Sequence, residues 1–344
     1  MEERNPTRIH KLVSILIILH LMLLTPSVYA PQTLQITVTT GKQSYDLGEN
    51  VQVHGNLTLD GVPVEDGLVA IQIDTANGAS IVIRTLPTGT LPPQDWKIEL
   101  LEVVPCDSEG NPKSSFQRGA MAYFKPTIRS TDSIARTVAV SLNLYYAPSM
   151  LPFRALFPLT GYTIYPGETK SSVLPVPIFS TAATGGAMVY ASVFTTRPKD
   201  GGTAYSSEKS APFTITSSSA ATATYATETV NPASTEGNLS LTFKLPSTNG
   251  ILGQYTAYAN AMYKGGDTFP LIARTNHSFQ VTLTGDIYVD GIVDFRDLNI
   301  IARAYGTVPG DQRWDERADL VEDYVVDYRD MGACARNYGK SGTY

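Results

Sequence analysis

Acidic side chains recur at fixed intervals near the end of this 344-residue chain, and the intervals are those of oxygen ligands around a divalent cation. Asp286, Asp290, Asp294 and Asp297 stand at the first, fifth, ninth and twelfth positions of one loop, with Gly291 at the sixth. In a loop of this kind alternate side chains turn inward, glycine makes the sharp bend, and the carbonyl of the seventh residue, here Ile292, adds an oxygen. The pattern then returns: Asp319, Asp323, Asp327 and Asp330 hold the same four positions and Val325 the seventh. The two segments align without a gap and share Val-Asp-aromatic-Arg-Asp followed by Ala-Arg-x-Tyr-Gly, a stronger signal than any single loop. An all-oxygen donor set suits Ca2+, a hard cation.

Each loop needs an element behind it to aim its ligands. Asp297 to Tyr305 has a helical apolar pattern stopped by Gly306, and the second unit ends in the same way at Gly339. The charge balance agrees with a cation site. The whole chain has a formal net charge of -6, and residues 285–344 hold twelve acidic against seven basic side chains. A divalent ion would neutralise that concentration, whereas the reading in which the acids merely solvate a helical pair leaves their recurrence unexplained. The scarcity of clustered Lys and Arg disfavours nucleic acid as a partner.

Two calcium loops, each followed by one helix and lacking an entering helix, resemble a type I dockerin domain with EF-hand-like loops. The connector from Pro309-Gly310-Asp311 to Trp314-Asp315 is similar to those of archaeal and clostridial-type repeats. The resemblance covers about residues 285–344 and implies a calcium-dependent fold that binds a cohesin module and tethers its carrier to a scaffold or surface. It implies a partner face that includes Phe295, Arg296, Tyr328 and Arg329, related by the repeat and so able to bind in two orientations. On a second reading Phe295 and Tyr328 pack the helices together while the arginines screen nearby carboxylates. The chain also departs from the family pattern. Tyr288 and Val321 replace the Asn or Asp usual at the third position, and Tyr324 replaces the glycine of the bend. A non-glycine there is strained if the loop keeps its usual shape, so the first site is expected to bind better than the second.

Upstream the chain reads as mainly β, rich in Tyr, Gly, Pro, Ser and Thr and poor in charged helix formers. Residues 1–30 read as a signal peptide: Arg4, Arg8 and Lys11, an apolar run from Leu12 to Thr25, then Val28-Tyr29-Ala30 for cleavage. The expected product is secreted and associated with the cell surface. The apolar run falls short of the roughly 20 residues a spanning helix needs, which makes an uncleaved membrane anchor the weaker reading, and with no second apolar stretch of that length no stable span is expected after cleavage.

Alternation at Val51, Val53, Leu57, at Val69, Ile71, Ile73 and at Ile81, Ile83 marks half-buried strands, with Asp60-Gly61, Asp66-Gly67 and Asn77-Gly78 as turns. Lys42 to Glu49, Gly55 to Thr58 and Leu68 to Gln72 resemble the opening half of macroglobulin-like or immunoglobulin-like β-sandwiches of microbial surface proteins. The strands that follow in those domains are matched only at Gly237 to Leu245 and Gly253 to Ala259. Residues 31–90 and 231–284 are therefore expected to form one discontinuous sandwich. Residues 91–230 are a second β-sandwich inserted at a loop tip, leaving through the Thr216 to Ser234 stretch, and 285–344 is a small α-helical dockerin-like domain. Three tandem sandwiches would leave residues 231–284 with too little core.

The remaining signals are weaker. Glu99 and Glu102, near Asp95, have the residue types of a glycosidase pair but read as a solvated strand face. Cys106 and Cys334 fall in different expected domains, leaving open a disulfide or, for Cys334, a small buried helix residue. His54 and His277 are too few for a zinc cluster, and no nucleophile elbow or phosphate loop occurs. The expectation is a non-catalytic attachment protein, its terminal domain on a cohesin-like module or its own chain and its sandwich loops on a cell-surface or extracellular polysaccharide or protein. The rival readings are a component of an extracellular polysaccharide-degrading assembly and a filament subunit with an unpaired strand near Leu34 to Val38.

Overall fold

The computed structural model describes residues 32–93, 96–217, 236–263 and 270–344. The expected leader, Asp95 and most of the Thr216 to Ser234 stretch lie outside the described residues. The chain is mainly β. Six strands come first: β1 (Leu34–Thr40), β2 (Ser44–Asp46), β3 (Asn50–Leu59), β4 (Val62–Pro63), β5 (Leu68–Asp74) and β6 (Ser80–Pro87). Nine follow: β7 (Ile98–Cys106), β8 (Ser115–Gln117), β9 (Met121–Ser130), β10 (Arg136–Tyr146), β11 (Leu151–Ile164), β12 (Thr169–Ser171), β13 (Leu174–Pro177), β14 (Gly185–Phe194) and β15 (Lys209–Thr216). The last are β16 (Asn238–Lys244), β17 (Gly250–Ile251), β18 (Gly253–Tyr263) and β19 (Leu271–Thr282), then α1 (Phe295–Ala304), α2 (Tyr328–Asn337) and β20 (Gly342–Thr343).

Strands far apart in sequence share sheets. β3 lies between β1 and β16, so Val53 faces Thr40 on one side and Leu241 on the other. A second sheet runs β2-β19-β18-β5-β6, with Ile71 opposite Ala259. Their inward residues, among them Val51, Val53, Leu57, Ile71, Ile73, Leu241, Phe243, Tyr255 and Phe279, form one core. β1 is paired with β3 along all seven of its residues, so the unpaired strand expected of a filament subunit is not found there.

β7 to β15 pair only with one another among the described strands, in the orders β11-β10-β14-β15-β8 and β12-β9-β13, with β7 on β9. Their core, a second cluster that also takes in Met262 of β18, centres on Phe116, Phe124 and Phe213, whose ring centroids lie 5.3 to 6.0 Å apart. β5 departs from the expected half-burial, since all seven of its residues are buried. Its second face is covered by Phe194 and Ala204, which pack with Leu68, Ala70 and Ile83. At the same junction Asn143 Oδ1 accepts from the Ile83 N–H at 2.8 Å. Arg84 there is buried against Glu208, with its guanidinium 3.6 Å from the Tyr190 ring centroid.

Candidate metal centre

The two loops have the same backbone, because the same hydrogen bonds close them. Val289 and Gly291, at the fourth and sixth positions, take φ of 59° and 82°, and Glu322 and Tyr324 take 55° and 65°. Left-handed φ is costly for any residue with a Cβ, most of all a β-branched one such as Val289. The carboxylates hold it in place. The N–H groups of Asp290 and Gly291 donate to the two oxygens of Asp286 at 3.1 and 2.9 Å, and those of Asp323 and Tyr324 donate to Asp319 at 3.1 and 2.9 Å. Tyr324 thus adopts the strained bend that its side chain disfavours.

The helices start at the duplicated aromatic residues, Phe295 and Tyr328, because Asp294 and Asp327 cap them. Each cap accepts a backbone N–H two residues on at 2.7 Å. Asp297 and Asp330 complete reciprocal caps: Asp297 accepts from the N–H of Tyr288 and Asp294 at 2.9 and 2.8 Å, and Asp330 from Val321 and Asp327 at 3.0 and 2.7 Å. Both are fully buried and form no salt bridge among the described residues. A buried carboxylate held only by neutral donors keeps an uncompensated charge, which a cation would offset.

The half-exposed carboxylates already have a counter-ion. Arg296 pairs with Asp290 at 2.5 Å and Asp294 at 2.8 Å, and Arg329 pairs with Asp323 at 2.7 Å and Asp327 at 2.8 Å. Hydrogen bonds from these guanidiniums hold the carboxyls of Asp294 and Asp327 below the usual carboxylate range. In return the carboxylates raise the arginines. Phe295 and Tyr328 point outward, 66% and 71% exposed, and so do not pack the helices together. That packing falls to Val293, Ile301, Ala304, Val326 and Cys334, all buried. Cys334 and Cys106 are both free and buried, and burial pushes the Cys334 thiol up to about 11.

Each loop is braced by the segment after the other unit's helix. Val293 donates to the Lys340 carbonyl and accepts from Gly339, while Val326 donates to Thr307 and accepts from Gly306. The first loop alone also receives the tail. Gly342 donates to the Gly291 carbonyl at 2.8 Å, and the Tyr344 hydroxyl donates to Asp286 Oδ2 at 2.9 Å. Burial, then the bond to Asp286, pushes that phenol up to about 12. The terminal unit is also tied to the β-sheets: β20 pairs with β17, Lys340 Nζ donates to the Leu47 carbonyl at 2.6 Å, and Asn337 Nδ2 donates to the Thr284 carbonyl at 2.7 Å. The arginines pair with nearby carboxylates, as the second sequence reading has it, whereas the Tyr344 contact was not read from the sequence. The arginine pairing had a signal in the duplicated Asp-aromatic-Arg-Asp, and the tail had none.

The donor chemistry fits a hard divalent ion: carboxylates at four positions and carbonyls at the seventh, of Ile292 and Val325. The side chains are not gathered around one point, since among the described residues no three His, Cys, Asp or Glu come together closely enough to hold a metal. Elsewhere, Glu99 on β7 pairs with Arg129, and Glu102 accepts a hydrogen bond from Thr127 at 3.3 Å, both across to β9.

No family model matches the chain, and no curated protein matches it. Among solved structures, the alkylpurine DNA glycosylase AlkC of Pseudomonas fluorescens aligns at TM-score 0.27 and 15% identity over 36% of this chain and 31% of that one. A Paenibacillus sp. cycloisomaltooligosaccharide glucanotransferase aligns at 0.26 and 17%, over 35% and 14%. The CARDB domain of the Pyrococcus furiosus PF1109 protein, solved in complex with di-metal ions, aligns at 0.24 and 9%, over 35% and 94%. The chain thus spans less than a third of the first two proteins.

Proposed function

We propose that residues 285–344 are a dockerin-like calcium module at the end of a secreted, non-catalytic attachment protein. Asp286, Asp290, Asp294 and Asp297 with the Ile292 carbonyl would hold one ion, and Asp319, Asp323, Asp327 and Asp330 with the Val325 carbonyl a second. Calcium would cross-link each loop to the start of its helix and neutralise the carboxylates. One observation carries the reading: two units of different side chains repeat the same left-handed positions and the same carboxylate-to-amide bonds. We further read the β region as a discontinuous sandwich with a second one inserted, supported by the β3–β16 and β5–β18 pairings and by the second core cluster, centred on β7 to β15. The outward Phe295 and Tyr328 remain available to a cohesin-like module, while the Lys340 and β20 contacts favour the own chain as partner of the opposite side.

The test is a calorimetric calcium titration of the chelator-stripped full chain, with helical circular dichroism alongside. Saturable binding is expected with a Kd on the order of 10⁻⁴ to 10⁻³ M, as in extracellular modules, and lost first at the second loop. No heat at millimolar calcium would retire the reading.

A further inference from the structure

At both loops a guanidinium holds the two carboxylates, at the fifth and ninth positions, that a metal ion would need. Arg296 makes three hydrogen bonds to Asp294, from Nε at 3.2 and 3.0 Å and from Nη2 at 2.8 Å, and its ion pair to Asp290 is added to these. Arg329 repeats the set on Asp327, at 3.2, 3.1 and 2.8 Å, with its ion pair to Asp323. The carboxylates of Asp286 and Asp297, and of Asp319 and Asp330, are engaged by backbone N–H groups. All eight carboxylates accept backbone N–H groups, and only those at the fifth and ninth positions are also held by a guanidinium among the described residues.

We propose that Arg296 and Arg329 are the loops' resident cations and compete with calcium, which gains the fifth- and ninth-position carboxylates only as the guanidinium leaves them. The proposal rests on the calcium reading above. A planar fork satisfies two carboxylates at once, and a dication brought beside it meets like-charge repulsion. The exchange has room to occur. The Arg296 and Arg329 side chains are 40% and 46% exposed, so either guanidinium can swing into water without breaking the core. In the second loop the buried Asp323 Oδ2 meets Arg329 Nη1 at 2.7 Å in an ion pair.

The exchange changes the outer face. Released guanidiniums would stand free beside Phe295 and Tyr328, giving the face two unpaired forks that it lacks in the arginine-clamped state. Calcium would then set the chemistry of the face as well as the stability of the loops. The released forks fit a partner that presents carboxylates.

The experiment compares calcium binding by the full chain with that of Arg296→Gln, Arg329→Gln and the double variant, after chelator treatment. Each substitution should tighten its own loop by about tenfold, the scale expected from removing one positive charge some ångströms from a dication in water-like dielectric. Arg296→Lys, which keeps the charge and loses the fork, should fall between and serves if the glutamine variant alters the circular dichroism. In parallel, phenylglyoxal labelling read by mass spectrometry should show calcium raising the modification of Arg296 and Arg329 in the wild-type chain. Equal or weaker affinity in the variants, or calcium-induced protection of the two arginines, overturns the competition while wild-type binding leaves the calcium reading standing. Absence of binding in all four proteins overturns both.

Discussion

In the first loop the left-handed bend falls on Gly291, where an added Cβ would stand 2.6 Å from the Gly342 carbonyl oxygen. In the second it falls on Tyr324, 71% exposed, and among the described residues no equivalent of the tail holds it. The backbones nevertheless agree at both left-handed positions. The difference teaches that the bend is imposed by the first and twelfth carboxylates gathering amides, and that glycine at the sixth position lowers its cost without creating it. The glycine in the first loop answers a further demand, the close approach of the tail.

The strongest way to break this comparison is to remove the amide acceptors. Asp297→Ala leaves the Tyr288 and Asp294 N–H groups unpaired and empties a buried cap, and should lower local stability by about 2–4 kcal/mol, read as the opening free energy of α1 amides by native-state hydrogen exchange. Asp330→Ala should cost less, because no tail depends on the second loop. An equal or larger loss there would mean that the tail contributes nothing. Exchanging the bend residues comes next. Gly291→Ala combines left-handed strain with a clash against backbone and should destabilise by roughly 2 kcal/mol, while Tyr324→Gly should stabilise by about 1 kcal/mol. Thermal unfolding of the paired variants checks both signs, and a stabilising Gly291→Ala would sink the argument.

The smallest effect sharpens the role of the tail. Tyr344→Phe loses one hydrogen bond to Asp286 and should cost about 0.5–1 kcal/mol at neutral pH. Its pH dependence has a definite sign. The folded phenol titrates near 12 and the unfolded one near 10, so the folded state binds the proton more tightly. The wild-type advantage over Tyr344→Phe is therefore full below about pH 10 and is lost as pH rises toward 12. A difference between the two proteins that grows with pH would contradict the contact.

Sequence reading carried some of this and missed the rest for physical reasons. The acidic positions were legible because a loop is a local device, and local spacing fixes which side chains meet which amides. The helix starts follow the same local spacing, since Asp294 and Asp327, which cap the first turns at Phe295 and Tyr328, are themselves members of the repeat. β5 was expected to be half-buried, but its polar-looking positions, Gln72 and Asp74, are also buried. Alternation reports one covered face and cannot report a second cover arriving from residues more than a hundred positions away. The tail was illegible for the same reason: Gly342 and Tyr344 matter only through partners more than fifty residues upstream.

The pairing of β3 with β16 also sets a clock. Asn56 and Asn238, hydrogen-bonded neighbours, are 182 residues apart. At about 5–20 residues per second, a ribosome needs roughly ten to forty seconds to deliver the second after the first. During that interval β7 to β15, which need no strand from outside their own segment, are all synthesised and free to assemble, while β3 and β5 wait with an open edge each. The nascent chain is then an assembled middle preceded by one unfinished flank, and the period of greatest exposure to aggregation or chaperone capture ends only as β16 and β18 emerge.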